Sequence, residues 1–344
     1  MGAKKDDAAG VAPNATRSQS VATAATPLRV LVAGTGAFGA EHLTRLAGRP
    51  DVIVTGIADI DAAALERAGS RSPLAKRFAD PLRLIEQVGA DAIIVAAPAA
   101  THVEIGLKAL ERNLCALIEK PVAQSAAAVA PLLAAAQSSA GFVLPGHVLR
   151  FSQDHLRLVE VARSGLIGQV LYVNSRRYRD DSHVVRYADA DPVLTTLIHD
   201  IDLAQWIARS NFRSVLARRS GAGYRSLTAI SATTATGVVC DLRTAWTFPG
   251  ADLPPDRLEA VGDRGSVELT VGKSLRVYAE GRCTRHTLAE ADDPLRNEQD
   301  HFLAYVRDRS RARALDLPQA LAGLKLADAA LESLRLYREV TLAT

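Results

Sequence analysis

Residues 34–39 read Gly-Thr-Gly-Ala-Phe-Gly, a GxGxxG pattern, and an acidic residue, Asp59, follows the last glycine by roughly 20 positions. Those residue types at that spacing suit a dinucleotide. Gly34 permits a tight turn, Gly36 lets the backbone approach a pyrophosphate, and Gly39 lets a helix pack closely on a strand. Thr35, Ala37 and Phe38 complete the loop, and the helix N-terminus offers its free N–H groups to phosphate oxygens. Asp59 would accept hydrogen bonds from the adenosine ribose hydroxyls, and its charge repels a 2′-phosphate, which favours NAD over NADP. FAD shares the fingerprint, and a purely structural glycine turn with a helix-capping Asp59 is the plain alternative.

Such a turn needs a strand before it and a helix after it. Apolar runs at 28–33, 52–58, 92–97, 114–118 and 142–144 alternate with helical stretches at 37–47, 62–68, 103–112 and 125–137. Short apolar runs bounded by Gly, Pro and Asp read as strands buried on both faces, and the alternation predicts parallel βαβ units. Beyond about residue 147 the pattern changes. A helix at 154–163, a strand at 169–179 and a helix at 194–209 are followed by mostly strands with Gly-rich turns over 213–287. Helical stretches near 294–309 and 318–338 come last. The predicted fold is α/β: a Rossmann domain with a doubly wound parallel sheet over 27–146, then an α+β domain with a mostly antiparallel sheet over 147–344. The last helices are free to pack back on the first domain.

Composition bounds the partners. The chain has 344 residues, 48% hydrophobic and 23% charged, with a formal net charge of +3. That charge is too small to argue for nucleic acid or an anionic membrane. No apolar run approaches the ~18–20 residues that span a bilayer. Cys115, Cys240 and Cys283 are far apart and form no CxxC, so they read as buried thiols in a reducing compartment. No His, Cys and carboxylate spacing suits a metal. Residues 1–26 lack hydrophobic periodicity and read as a disordered tail without an export signal, which leaves the cytoplasm as the expected location.

Further segments follow in a set order: a strand ending Ala96-Ala97-Pro98, then Thr101-His102, Glu119-Lys120-Pro121, Gly146-His147-Val148-Leu149-Arg150-Phe151, and Leu197-Ile198-His199-Asp200-Ile201-Asp202. The series resembles the glucose-fructose oxidoreductase / inositol dehydrogenase / MocA (Gfo/Idh/MocA) family of NAD(P)-dependent dehydrogenases, over about residues 28–340. The resemblance implies a second domain with a large open sheet used for oligomerisation, as a homodimer or homotetramer. It implies that Ala97, Pro98, His102 and Glu119 border the cofactor. It also implies that Lys120 lies beside the nicotinamide and the reacting carbon, with a Lys120–Pro121 bond that is often cis in the family.

The same residues carry a chemical argument. Oxidising an alcohol removes a hydride from carbon and a proton from oxygen. Lys120 can polarise the oxygen, and a buried lysine can also give up its proton, which arginine cannot. The chain has only seven lysines among 41 basic residues, so one in this place is pointed. His199 titrates near neutrality and is the expected general base. Its plain alternative is a satisfied core histidine. Asp202, three residues on, shares its helix face and is placed to orient the imidazole or to cap and bridge elsewhere.

One position departs from the family pattern. The inositol-dehydrogenase branch carries an Asp four residues before the histidine, where this chain has Thr195, whose hydroxyl can hydrogen-bond substrate but cannot act as a base near pH 7. Arg176, Arg177 and Arg179 suggest either an anionic substrate or a solvated strand edge. His147 and Arg150 either touch substrate or brace the domain junction. The resulting expectation is an NAD-dependent dehydrogenase of a sugar, nucleotide sugar or cyclitol, using no metal. The rivals are a cofactor-binding regulator without turnover and a reductase of a non-sugar carbonyl or double bond.

Overall fold

The computed structural model describes residues 26–342 apart from 188–189, 224, 251 and 289–290. Residues 1–25, most of the expected tail, lie outside the described residues. The first half alternates as the sequence predicts: β1 (Leu28–Ala33), α1 (Ala37–Leu46), β2 (Val52–Ala58), α2 (Ala62–Arg71), β3 (Lys76–Phe78), α3 (Pro81–Gln87), β4 (Ala92–Val95), α4 (His102–Glu111), β5 (Cys115–Glu119), α5 (Ala130–Ser138) and β6 (Val143–Gly146). All six strands pair in parallel, in the order β3-β2-β1-β4-β5-β6. This is a Rossmann sheet. The order reverses beside β1, so the crevice above the strand ends opens next to the glycine turn. β4 and β5 are buried along their whole length, which is why they read as unbroken apolar runs.

The second half comprises α6 (Gln153–Arg163), β7 (Val170–Asp180), α7 (Ser182–Arg186), α8 (Ile198–Ala208), β8 (Phe212–Ala222), β9 (Arg225–Thr234), β10 (Val239–Phe248), β11 (Arg257–Gly262), β12 (Gly265–Thr270), β13 (Ser274–Ala279), β14 (Arg282–His286), α9 (Pro294–Arg307), α10 (Leu317–Leu336) and β15 (Val340–Thr341). Its nine strands run β14-β13-β12-β11-β7-β10-β9-β8-β15, antiparallel except for the β7–β10 pair. One face packs on helices: Val173, Val215, Ile230 and Leu258 join Ile201 of α8 and Leu324 of α10 in one apolar cluster. The other face is open, and β14 forms an edge whose Arg282, Cys283, Thr284 and Arg285 are exposed.

α9 returns to the Rossmann sheet. Its Phe302 and Leu303 share a core with Val30, Val32 and Ile94. Arg45 of α1 meets Asp293 at 2.8 Å. Among the described residues no helix is long and apolar enough to cross a membrane.

Three expectations need correction. β3 and α3 were not predicted: β3 is only three residues, two of them exposed cations, so it carries no apolar signal. The expected strand at 169–179 is β7, which holds Arg176, Arg177 and Arg179 within it, and the short helix α7, which the sequence did not announce, follows. Cys115 and Cys240 are buried, but Cys283, on the β14 edge, is exposed.

Candidate active site

The glycine turn has the geometry a dinucleotide requires. Gly34 holds φ +87°, and its N–H donates to the Ala58 carbonyl at 2.8 Å. A Cβ there would stand 2.3 Å from the Ala97 nitrogen, and one on Gly39 would stand 1.9 Å from the Gly34 oxygen. Both glycines are therefore demanded by packing. Gly36 is different, because a Cβ there meets nothing within 4 Å. It faces open space at the start of α1, where no side chain caps the first N–H groups. That combination fits a pyrophosphate. Ala37 opens α1, and Phe38, half-exposed, lies edge-on to His42 at 5.6 Å.

Asp59 follows β2 and faces the turn. Its Oδ2 accepts from the Thr35 N–H at 2.6 Å and from the Thr35 hydroxyl at 3.1 Å, while Oδ1 accepts from the Asp61 N–H at 2.9 Å. The carboxylate thus braces the turn as well as offering lone pairs to a ribose.

Across the crevice, Pro98 leads from β4 into a 3₁₀ turn, Ala99–Thr101. His102 is buried, with Nε2 2.7 Å from the Ala97 oxygen and Nδ1 2.9 Å from the Pro121 oxygen. Both ring nitrogens face main-chain carbonyls, the protonated one donating, so His102 bridges the ends of β4 and β5. Burial pushes its pKa down against the pull of those carbonyls. Glu119, also buried, lies 2.9 Å from His42 Nε2 and accepts from the Lys120 N–H at 3.2 Å. Gln299 of α9 donates to both His42 Nδ1 and the His42 carbonyl, which leaves the His42 proton on Nε2, toward Glu119. Glu298, completely buried with neither oxygen bonded among the described residues, is held far above the usual carboxylate range by burial and by Glu119. The sequence reading missed His42, Glu298 and Gln299, whose association depends on α9 crossing back over the first sheet.

The Lys120–Pro121 peptide is cis. Lys120 Nζ donates to the Thr195 carbonyl at 2.8 Å. Burial lowers its pKa to about 8, opposed by Glu119 and reinforced by Arg177 and Arg179. Thr195 sits in a π-helical turn, Val193–Leu197, that leads directly into α8 and His199. Such turns recur at functional sites. The Thr195 hydroxyl donates to the Asp191 carbonyl at 2.9 Å. Burial, then Lys120 and Arg177, hold His199 well below the ordinary imidazole pKa, so it is neutral at pH 7. Its Nδ1 is buried and bonded to none of the described residues.

Asp202 does not orient His199. It forms two bonds to Arg150, at 2.8 and 2.9 Å, and lies 3.7 Å from His147 Nδ1. Arg150 also donates to the Ala314 carbonyl at 2.8 Å and stacks on Trp206, so it is a buried brace. His147 is buried, and burial lowers its pKa against the pull of Asp202. Asp200 pairs with Arg177, which also meets Asp256 at 2.6 Å. Arg179 meets Asp256 at 2.9 Å, and Arg176 lies over Tyr178. Arg177 and Arg179 thus each have a carboxylate partner, which weakens the argument for an anionic substrate. Asp256 had no signal in the sequence. Among the described residues no group of three or more His, Cys, Asp or Glu is arranged to hold a metal ion.

Residues 28–147 match the family model described as an oxidoreductase family with an NAD-binding Rossmann fold, and residues 155–268 match the corresponding GFO/IDH/MocA C-terminal domain. The chain belongs to the Gfo/Idh/MocA oxidoreductase family. It is 30% identical over 191 residues to an inositol 2-dehydrogenase of Salmonella typhimurium, covering 55% of this chain and 56% of that protein. The chain therefore spans little more than half the length of this relative. An inositol 2-dehydrogenase of Acidothermus cellulolyticus is 29% identical over 326 residues, 90% of this chain and 93% of that one. In fold, the crystal structure of myo-inositol 2-dehydrogenase from Lactobacillus plantarum superposes with a TM-score of 0.81 at 20% identity, covering 92% of this chain and all of the other.

Proposed function

We propose that this protein is an NAD-dependent dehydrogenase that interconverts a ring secondary alcohol and its ketone on a cyclitol or an uncharged sugar. The observation that carries this reading is Lys120: a partly buried lysine of pKa about 8, bonded to the Thr195 carbonyl at the mouth of the dinucleotide crevice and in electrostatic contact with a neutral His199. Gly34–Gly39 and Asp59 would hold NAD, which when bound would supply the hydride acceptor. Lys120 donates a hydrogen bond to the substrate oxygen and stabilises its developing charge. His199, neutral at pH 7, accepts the hydroxyl proton. In reduction the same groups run in reverse. The ion pairs of Arg177 and Arg179 favour a neutral polyol over a sugar acid. A regulator without turnover has no use for a lysine tuned in this way, so the enzyme reading is preferred.

We further infer that copies associate through the open face of the nine-stranded sheet, where Leu227 and Tyr278 are exposed among Arg176, Arg243 and Glu268. Light scattering on the purified chain tests this. The free thiols and the use of a soluble nicotinamide support a cytoplasmic location.

The deciding experiment follows nicotinamide absorbance at 340 nm against inositols, sugars and nucleotide sugars. Turnover with a polyol, cut at least 100-fold in Lys120→Met with NADH affinity retained, is expected. Tight NADH binding without turnover of any polyol would overturn the reading.

A further inference from the structure

The turn after β7 carries an aromatic group that the reaction as described does not use. Trp246 of β10 is completely buried, and its indole N–H donates to the Thr196 hydroxyl at 3.1 Å. Thr196 is the neighbour of Thr195, whose carbonyl receives Lys120. Against Trp246 lie two further rings, His183 at 5.7 Å and Tyr187 at 6.0 Å, and these two are 5.6 Å from each other. His183 is also within electrostatic reach of Lys120. The three rings therefore form a tilted cluster against the turn that holds Thr195 and Thr196.

The outer two rings are held in place, and Tyr187 is open to solvent. The Asp180 carboxylate accepts from the Ser182 N–H at 2.9 Å, the Asp181 N–H donates to the Phe248 carbonyl at 3.0 Å, and the Tyr187 N–H closes the turn on the His183 carbonyl at 3.0 Å. His183 Nδ1 is buried without a hydrogen bond to any described residue; the nearest carboxylate oxygen, on Asp180, is 3.9 Å away. A buried polar atom without a partner is costly, and a ligand hydroxyl would satisfy it. Tyr187 is 36% exposed, and Val185 on the same turn is 81% exposed. Burial and the cations Arg179, Arg186 and Lys120 keep His183 neutral, with Asp180 opposing. A neutral imidazole offers one donor and one acceptor, which matches a hydroxyl.

We propose that His183 and Tyr187 form the ring-binding wall of the substrate pocket, His183 exchanging a hydrogen bond with a substrate hydroxyl and Tyr187 covering the C–H face of the same ring. The inference rests on the dehydrogenase reading and deepens it. The wall selects a flat, uncharged polyol ring, and it supplies a polar contact on the side of the site where Thr195 offers only a hydroxyl already bonded to Asp191.

Trp246 provides the readout. The chain has two tryptophans, so in a Trp206→Phe background Trp246 is the only indole. The probe is myo-inositol titrated into the NADH complex, followed by indole emission. Saturable binding is expected. In His183→Ala the Kd should rise about tenfold, with KM rising in parallel and kcat within threefold. His183→Asn, which keeps a donor and an acceptor, should recover most of the loss. Tyr187→Ala should weaken binding about fivefold and Tyr187→Phe hardly at all. NADH affinity unchanged in every variant shows that the crevice is intact. Unchanged Kd in both alanine variants would overturn the proposal while leaving the dehydrogenase reading standing. If neither this background nor the wild type binds myo-inositol, scyllo-inositol or a nucleotide sugar, the dehydrogenase reading fails and takes the proposal with it.

Discussion

Lys120 Nζ reaches the main-chain carbonyl of Thr195, 2.8 Å away, and so joins the end of β5 to the π turn that introduces His199. The two halves of the chain meet at the proposed reacting group. The contact uses the backbone, so it does not depend on the side chain at 195. Thr195→Ala should therefore keep turnover within about threefold. Thr195→Asp would place a carboxylate beside Lys120 and raise its pKa by about one unit or more. Steady-state pH profiles of both variants check this, and a tenfold loss in the alanine variant would show that the hydroxyl itself is needed.

The pH profile of the wild type follows from Lys120. Burial lowers its pKa to about 8, so the ammonium is complete below that value and lost above it. In the alcohol-oxidising direction, where His199 is already the neutral base at pH 7, kcat/KM should be level between about pH 7 and pH 8 and fall toward tenfold per unit above it as the ammonium is lost. A profile that instead climbs through pH 8 would make the free amine the active form.

The glycines separate folding from binding. Gly36→Val adds a side chain where nothing lies within 4 Å, so thermal stability should hold while NADH affinity falls about 100-fold or more. Gly39→Ala drives a Cβ against the Gly34 oxygen and should lower stability as well. Thermal melts paired with NADH titrations distinguish the two.

Asp59 both braces Thr35 and faces the ribose site. Asp59→Ala should weaken NAD binding about tenfold and raise the NADP-to-NAD preference ratio. The ratio is the informative quantity, since loss of the brace affects both cofactors. A wild type that already prefers NADP would contradict this role.

Arg150 and Asp202 form a buried pair. Arg150→Met strands the carboxylate and should cost about 3–5 kcal/mol in urea unfolding, while the double variant with Asp202→Leu should recover most of it. A raised substrate KM in a stable double variant would restore Arg150 as a substrate contact.

Legibility followed the range of the determinants. β1 and β2 were readable to the residue because each is a short, mostly apolar run bounded by Gly, Pro or Asp. Lys120 and His199 could be singled out as candidates because they lie in short local motifs, and the structure places Lys120 against the turn that leads into His199. Their supporting partners were not. Asp202 and His199 share a helix face, yet Arg150, 52 residues earlier in the chain, captures Asp202. Arg177 and Arg179 resembled an anion site until Asp256, nearly 80 residues later, proved to neutralise both. α3 announces itself through Asp80 capping before Pro81, a local signal that was overlooked.

The β14 edge bears on how copies of this chain can grow into larger assemblies. Unpaired strand edges invite a neighbour to extend the sheet indefinitely. Here the edge carries exposed Arg282 and Arg285, so two copies meeting edge to edge would press like charges together. The opposite edge is the two-residue β15, too short to template a ribbon. Charge at the β14 edge thus disfavours growth by strand addition there, which agrees with the face-to-face association proposed above.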